Sequence, residues 1–198
     1  MNSTALAQEV RAQLAGEHRY EHVVRVAELA DRFARAHGVD PDRARLAGML
    51  HDLARLYSAE RLLKESAQRG LVVDEFELRN PIVLHARLGA ELARERFGVN
   101  DEGVLSAIRK HTLAAADMSP LDEVVYLADS LEPGRPFAGR EALEKLAFEN
   151  LSAGMLATLS ASLTYLAGRG LEAAPQTLAA LDRYRNPAVT KGATTCPI

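Results

Sequence analysis

Apolar residues spaced three and four apart return in stretch after stretch of this chain, and that spacing commits it to helices. Leu6, Val10 and Leu14 line one face of Ser3 to Ala15, which Gly16 stops. Val26, Leu29, Ala30 and Phe33 do the same between Glu17 and Gly38. Asp40-Pro41 and Ser119-Pro120 each set a capping side chain before a first-turn proline. The first opens a helix carrying Ala44, Ala47, Met49, Leu50 and His51-Asp52; the second opens one carrying Val124, Val125, Leu127, Ala128 and Asp129. Between them the pattern predicts a helix over Ala59 to Gln68 behind Ser58, and a loop with one helical turn over Leu71 to Asn80. Pro81 starts a helix with Leu84, Leu88 and Leu92 inward, and Asn100 caps one with Val104, Leu105 and Ile108 that reaches His111. Glu141 to Ala147, Glu149 to Ala167 and Pro175 to Tyr184 complete the set; Leu151, Met155, Leu159, Leu163 and Leu166 are the expected buried positions of the long one. No run alternates with the period of two that a half-buried strand needs. The expected class is all-α.

With 198 residues and 47% apolar content, the chain supports one sizeable core. Residues 1–185 are expected to form a single helical bundle, and residues 186–198, rich in Pro, Gly and Thr, a disordered tail. A formal charge of -3 argues against a broad basic face for nucleic acid. Aromatic residues are 5% with no Trp, so stacking platforms for bases are scarce. No apolar run of 18 residues is evident, and Met1-Asn2-Ser3-Thr4-Ala5 lacks the layout of a secretory signal, so a cytoplasmic protein is expected. Cys196 is the single cysteine, which leaves nothing for an intrachain disulfide or a thiolate metal site.

The chemistry gathers around Gly48-Met49-Leu50-His51-Asp52-Leu53-Ala54-Arg55. An adjacent imidazole and carboxylate inside an apolar run are costly to bury unless both bind a cation; the bland alternative is a helix end facing water. His22, His85, His111 and Asp129 lie on or beside other helical stripes. Each alone reads as a structural residue. Together the six give nitrogen and oxygen donors without sulfur, a set for borderline divalent ions such as Fe, Mn, Co, Ni or Zn. Six donors exceed one tetrahedral zinc site, and two ions sharing a carboxylate would use them all. Such a pair lowers the pKa of a water between the ions and clamps a phosphoryl group. His18 is near this set in sequence, and His37, before Gly38, suits a helix C-terminus as a structural residue.

The order His22, His51-Asp52, Asp129 resembles the HD-domain phosphohydrolase superfamily. More closely, His18-Arg19-Tyr20-Glu21-His22, His51-Asp52-Leu53-Ala54-Arg55, His85-Ala86-Arg87-Leu88-Gly89-Ala90, Ala107-Ile108-Arg109-Lys110-His111-Thr112, and Tyr126-Leu127-Ala128-Asp129 with Glu132-Pro133-Gly134-Arg135 are similar to the YqeK-type family. The resemblance spans about Gln13 to Met155 and implies a single-domain HD-domain bundle. It implies symmetrical cleavage of dinucleoside tetraphosphates, with diadenosine tetraphosphate giving two ADP. It also implies two divalent ions, iron first, held by His22, His51, Asp52, His85, His111 and Asp129, with Asp52 bridging. The substrate is a polyanion, so cations are sought nearby. Arg55 and Arg135 join Asp52 as catalytic candidates, and Arg19, Lys110 and Thr112 are the nucleotide-contact candidates. The expected partner is the small dinucleoside polyphosphate, with no nucleic acid and no membrane; a homodimer stays open. Two other functions are weighed: a nucleotidase or phosphodiesterase on another nucleotide, and a non-catalytic nucleotide-binding regulatory module. One departure is visible: after His-Thr the family commonly has a glycine, and Thr112-Leu113-Ala114-Ala115-Ala116 has none.

Overall fold

Three helices meet where the apolar stripes are densest. The computed structural model describes residues 3–14 and 17–186, so Gly16, Cys196 and nearly all of the expected tail lie outside the described residues. Helix α2 (Glu17–Ala36) packs along α3 (Pro41–Leu50) and α8 (Pro120–Leu131). The contact is close because position 48 is glycine: a Cβ there would lie 2.8 Å from the Cα of Ala27. Val23, Val26, Leu29, Ala30 and Phe33 of α2 meet Ala44, Ala47 and Leu50 of α3 and Val124, Val125, Leu127, Ala128 and Leu131 of α8 in one core. Residues Leu121 through Ala128 are all buried, which makes α8 the central rod.

The other elements wrap this centre. Helix α1 (Ser3–Gln13) leans on α2 and α3; α6 (Leu84–Phe97) pairs with α7 (Glu102–Lys110), which packs on α8. Helix α4 (Ala59–Gln68), capped by Ser58, lies against α6, and α5 (Glu75–Arg79) is a single turn with a capping box between Asp74 and Glu77. Helices α9 (Arg140–Glu149), α10 (Leu151–Gly168) and α11 (Pro175–Arg185) cover the far side of α8. Among the described residues there is no strand, and the all-α expectation stands.

Four local readings change. The helix behind Pro81 begins with a 3₁₀ turn, Pro81–Val83, before α6 starts at Leu84. Asp101, not Asn100, caps α7: its Oδ1 accepts from the Gly103 and Val104 amides, while Arg43 forks onto the same carboxylate. In α10, Met155 and Leu159 are buried as expected, but Leu151, Leu163 and Leu166 are only half-buried. That helix carries no charged residue and is long and apolar enough, by length and composition, to cross a membrane, against the expectation of no such segment. Here its Gly154, Met155, Thr158 and Leu159 are packed inward.

The loop after Thr112 shows what its missing glycine costs. Ala114 has φ = 58°, in the left-handed region that glycine enters freely and an L-residue enters at about 1 kcal/mol. The turn keeps a glycine conformation with an alanine in it. Ala114→Gly is therefore expected to raise the melting temperature by about 2–4 °C in a chain of this size, read by calorimetry. A lower melting temperature would show that the Ala114 methyl, which is buried, contributes more than the strain.

Candidate metal centre

Five helices deliver the six candidate donors. His22 sits one turn and a half into α2, His85 is the second residue of α6, and Asp129 lies near the end of α8. His51 and His111 are the C-cap residues of α3 and α7. Asp52 follows in the turn, so His51-Asp52 close α3 from outside its last residue instead of riding on it. Despite being a helix end, the pair is buried, with Asp52 only 3% exposed, and the water-facing reading is excluded.

Helix ends also fix which way the imidazoles face. The last carbonyls of a helix have no partner in its ladder. His51 Nδ1 donates to Gly48 O at 2.7 Å and His111 Nδ1 to Ile108 O at 2.8 Å, each three residues back. His85 Nδ1 donates to Ile82 O of the 3₁₀ turn at 2.5 Å. A carbonyl only accepts, so these Nδ1 atoms carry protons, which leaves Nε2 as the ring nitrogen that can offer a lone pair inward. The Nε2 atoms converge on Asp52. Its Oδ2 is 3.7 Å from His22 Nε2 and 3.6 Å from His51 Nε2, and its Oδ1 is 3.3 Å from His85 Nε2 and 3.9 Å from His111 Nε2. Asp129 Oδ1 lies 3.1 Å from His22 Nε2 and 3.8 Å from His51 Nε2.

This is a meeting of acceptors. His85 Nε2 and His111 Nε2 are 3.1 Å apart, with the Thr112 hydroxyl 3.2 and 3.0 Å from them. Nε2 of His22 and of His51 is buried without a hydrogen-bond partner. Lone pairs so close repel unless a cation stands among them, so the donor set fits divalent metal. His22, His51 and Asp129 offer donor atoms all within 4.8 Å of one another, as do His51, Asp52 and His111. The charge states agree with this. Burial pushes His111 down to about 3, helped by His51 and His85, and burial likewise lowers His51. Burial pushes Asp52 up, but the surrounding histidines outweigh it and hold the carboxyl well below the usual range. Asp129 is lowered in the same way against its burial, by His22, His51 and Arg135. Neutral imidazoles beside ionised carboxylates are the forms that bind metal.

The expected cations divide. Arg19 Nη1 donates to Asp52 Oδ2 at 2.9 Å, and Arg135 Nη2 donates to Asp129 Oδ1, so both reach the cluster from its rim. Arg55 is half-buried in the turn after Asp52 and has no side-chain partner among the described residues. Lys110 is engaged elsewhere: its ammonium binds Asp117 and the buried Asp122 Oδ2 at 3.1 Å, tying α7 to the start of α8. Thr112 touches two histidines of the cluster, which makes it a neighbour of the donor set. His18 is exposed on α2, and His37, in the turn just past α2, contacts Ala147 O of α9 at 2.7 Å, a structural bond. Two residues at the centre had no role in the sequence reading. Glu132, 2% exposed, faces His22 Nδ1 at 3.2 Å and accepts from Arg25 Nε at 2.6 Å. An acid just past a helix, before Pro133-Gly134, reads as part of a turn. The available signal was Arg25, three residues from His22 on one face of α2.

Residues 19–134 match the HD domain family. The chain is 34% identical over 179 residues to a protein of Halalkalibacterium halodurans named bis(5'-nucleosyl)-tetraphosphatase, symmetrical, covering 90% of this chain and 95% of that one. A Bacillus subtilis protein of the same name is 33% identical over 168 residues, covering 85% and 89%. A crystal structure from Clostridium acetobutylicum, described as a "predicted HD superfamily hydrolase involved in NAD metabolism", superposes with a TM-score of 0.91 at 30% identity, covering 94% of this chain and 98% of that one.

Proposed function

The chain belongs to the HD domain family, and on that footing we propose that it hydrolyses dinucleoside tetraphosphates at the centre of the bridge, with diadenosine tetraphosphate giving two ADP. The observation that carries this reading is the division of donors about Asp52. One oxygen faces His22 and His51, with Asp129 beside them, and the other faces His85 and His111. Such a division suits two divalent ions sharing one carboxylate, with iron first among Fe, Mn, Co, Ni and Zn. When bound, ions of this kind stabilise charge on phosphate and make water nucleophilic near neutral pH.

The chain's own residues do the rest. The Nδ1 bonds to Gly48, Ile82 and Ile108 hold three imidazoles in the tautomer that leaves Nε2 free to ligate. Arg19 of α2 and Arg135 of the loop after α8 bring positive charge to the two carboxylates and to the rim, where a polyphosphate chain needs it. Arg55, uncommitted in the turn after Asp52, is a third phosphate contact in this reading. No side chain is asked to be a nucleophile. None is needed to protonate the leaving group either, since ADP departs as a stable anion. A cut at the middle of four phosphates requires two phosphates seated on each side of the attacked bond, and cations at separate points of the rim supply that seating.

The test is product analysis with protein reconstituted in Fe²⁺ or Mn²⁺. Diadenosine tetraphosphate is expected to yield ADP alone, two per substrate, and heavy-oxygen water to label one of the two. Arg135→Ala is expected to slow this reaction about 10²-fold while metal content stays near wild type, as when one charge stabiliser is lost. Equal AMP and ATP would overturn the symmetrical assignment. Turnover of a smaller nucleotide alone would favour the nucleotidase reading, and no turnover across a nucleotide panel would favour the regulatory module.

A further inference from the structure

The four imidazoles of the centre are not held alike. His51, His85 and His111 each donate to a backbone carbonyl three residues back. His22 is inside α2, where the preceding carbonyls are already taken by the helix ladder, so its Nδ1 needs an acceptor from elsewhere. That acceptor is a carboxylate: Glu132 Oε1 at 3.2 Å. The second oxygen, Oε2, accepts from Arg25 Nε at 2.6 Å and from the Gly134 amide at 2.6 Å. A Cβ at position 134 would lie 2.5 Å from the Arg25 guanidinium, so glycine is what lets this cation close over the carboxylate. One buried side chain thus fastens His22, the loop entering Arg135 and a cation from α2.

A carboxylate accepts more strongly than an amide carbonyl and draws more on the Nδ1 proton, which makes Nε2 the stronger donor. His22 is also the imidazole nearest Asp129, the second carboxylate of the centre. We propose that Glu132 is a positioning residue that, through His22, makes the half of the centre formed by His22, His51, Asp52 and Asp129 the tighter of two unequal cation sites. The half formed by Asp52, His85 and His111 has one carboxylate and only carbonyl-held imidazoles, and it is the looser. This rests on the two-ion reading above.

The experiment is a calorimetric titration of the metal-free, full-length chain with Mn²⁺ alone, at neutral pH. Wild type is expected to bind in two steps of different affinity. Glu132→Gln is expected to weaken the tighter step by about 10–100-fold and leave the looser one in place. His85→Ala is expected to do the reverse. Arg25→Ala separates positioning from mere structure: it removes a partner of the same carboxylate without touching the imidazole, so it lowers the melting temperature with a smaller change in Mn²⁺ affinity. Two steps in wild type that Glu132→Gln leaves unmoved would overturn the role of Glu132 while sparing the two-ion reading. No Mn²⁺ binding by wild type would overturn both. If Glu132→Gln does not fold, nitrogen-15 correlation spectra of wild type still decide. His22 is expected as the Nδ1-protonated tautomer, its proton held by Glu132, and any other tautomer overturns the proposal.

Discussion

Asp52→Ala is expected to cost the protein both ions and at least about 10³-fold in hydrolysis, with the helical circular dichroism kept. The argument is geometric. The carboxylate is almost wholly buried, and its two oxygens are divided between His22 and His51 on one side and His85 and His111 on the other. Burial opposes its charge, yet the histidines keep it ionised, so it is the one negative charge that both halves share. Alanine leaves one half with Asp129 and the other with no charge at all. Metal analysis after reconstitution and dialysis reads the effect: from two ions per chain toward less than one, whereas His85→Ala retains about one. An Asp52→Ala protein with its full complement of metal would show that the six donors are not the site.

Chelation is expected to lower the melting temperature by roughly 8–16 °C. An ion present at about a thousand times its dissociation constant stabilises the folded chain by about 4 kcal/mol, and in a chain of this size each kcal/mol is worth about 2–4 °C. The donors come from five helices, so what is lost is a tie among α2, α3, α6, α7 and α8. The metal-free protein should also be acid-labile. Its His111 titrates at about 3, against about 6.5 in the unfolded chain, because burial disfavours the charged ring. Between those values the unfolded chain holds a proton that the folded one refuses, so stability rises with pH through the window and is lost as pH falls from about 6.5 toward 3. His51 is shifted in the same direction, and Asp52 and Asp129, held below the carboxylate range, add the same sign at lower pH. Melting of the chelated protein at pH 7.5 and pH 5 checks this. An unchanged melt after confirmed metal removal would mean the cluster ties nothing together.

Caps were legible because their chemistry is local. Asp40, Ser58 and Ser119 hold the amides their sequences predict. Asn100 and Asp101 could not be told apart in that way, since either side chain can cap; Arg43, from α3, completes the choice by forking onto Asp101. The donor types and their order were readable too, since histidines on apolar stripes are rare enough to single out. The fate of charges was not. Lys110 looks free in sequence, and a buried Asp122 from the next helix claims it. Glu132 looks like a turn residue, and the packing of α2 on α8 buries it against His22. Whether Ala114 had kept or lost the shape of the glycine it lacks required a backbone angle that composition does not contain.

Two of the histidines stand at the C-caps of α3 and α7, and this makes the centre a gauge of helix length. One residue inserted between the Asp40 cap and His51, or between the Asp101 cap and His111, would swing the imidazole by about 100° and lift it about 1.5 Å, away from Asp52. Substitutions along these helices change packing by degrees, but an insertion changes the direction in which a donor points. Length variation in such a chain therefore has room between helices such as α4 and α5, or α10 and α11, while the intervals from cap to histidine are fixed by the chemistry at their ends.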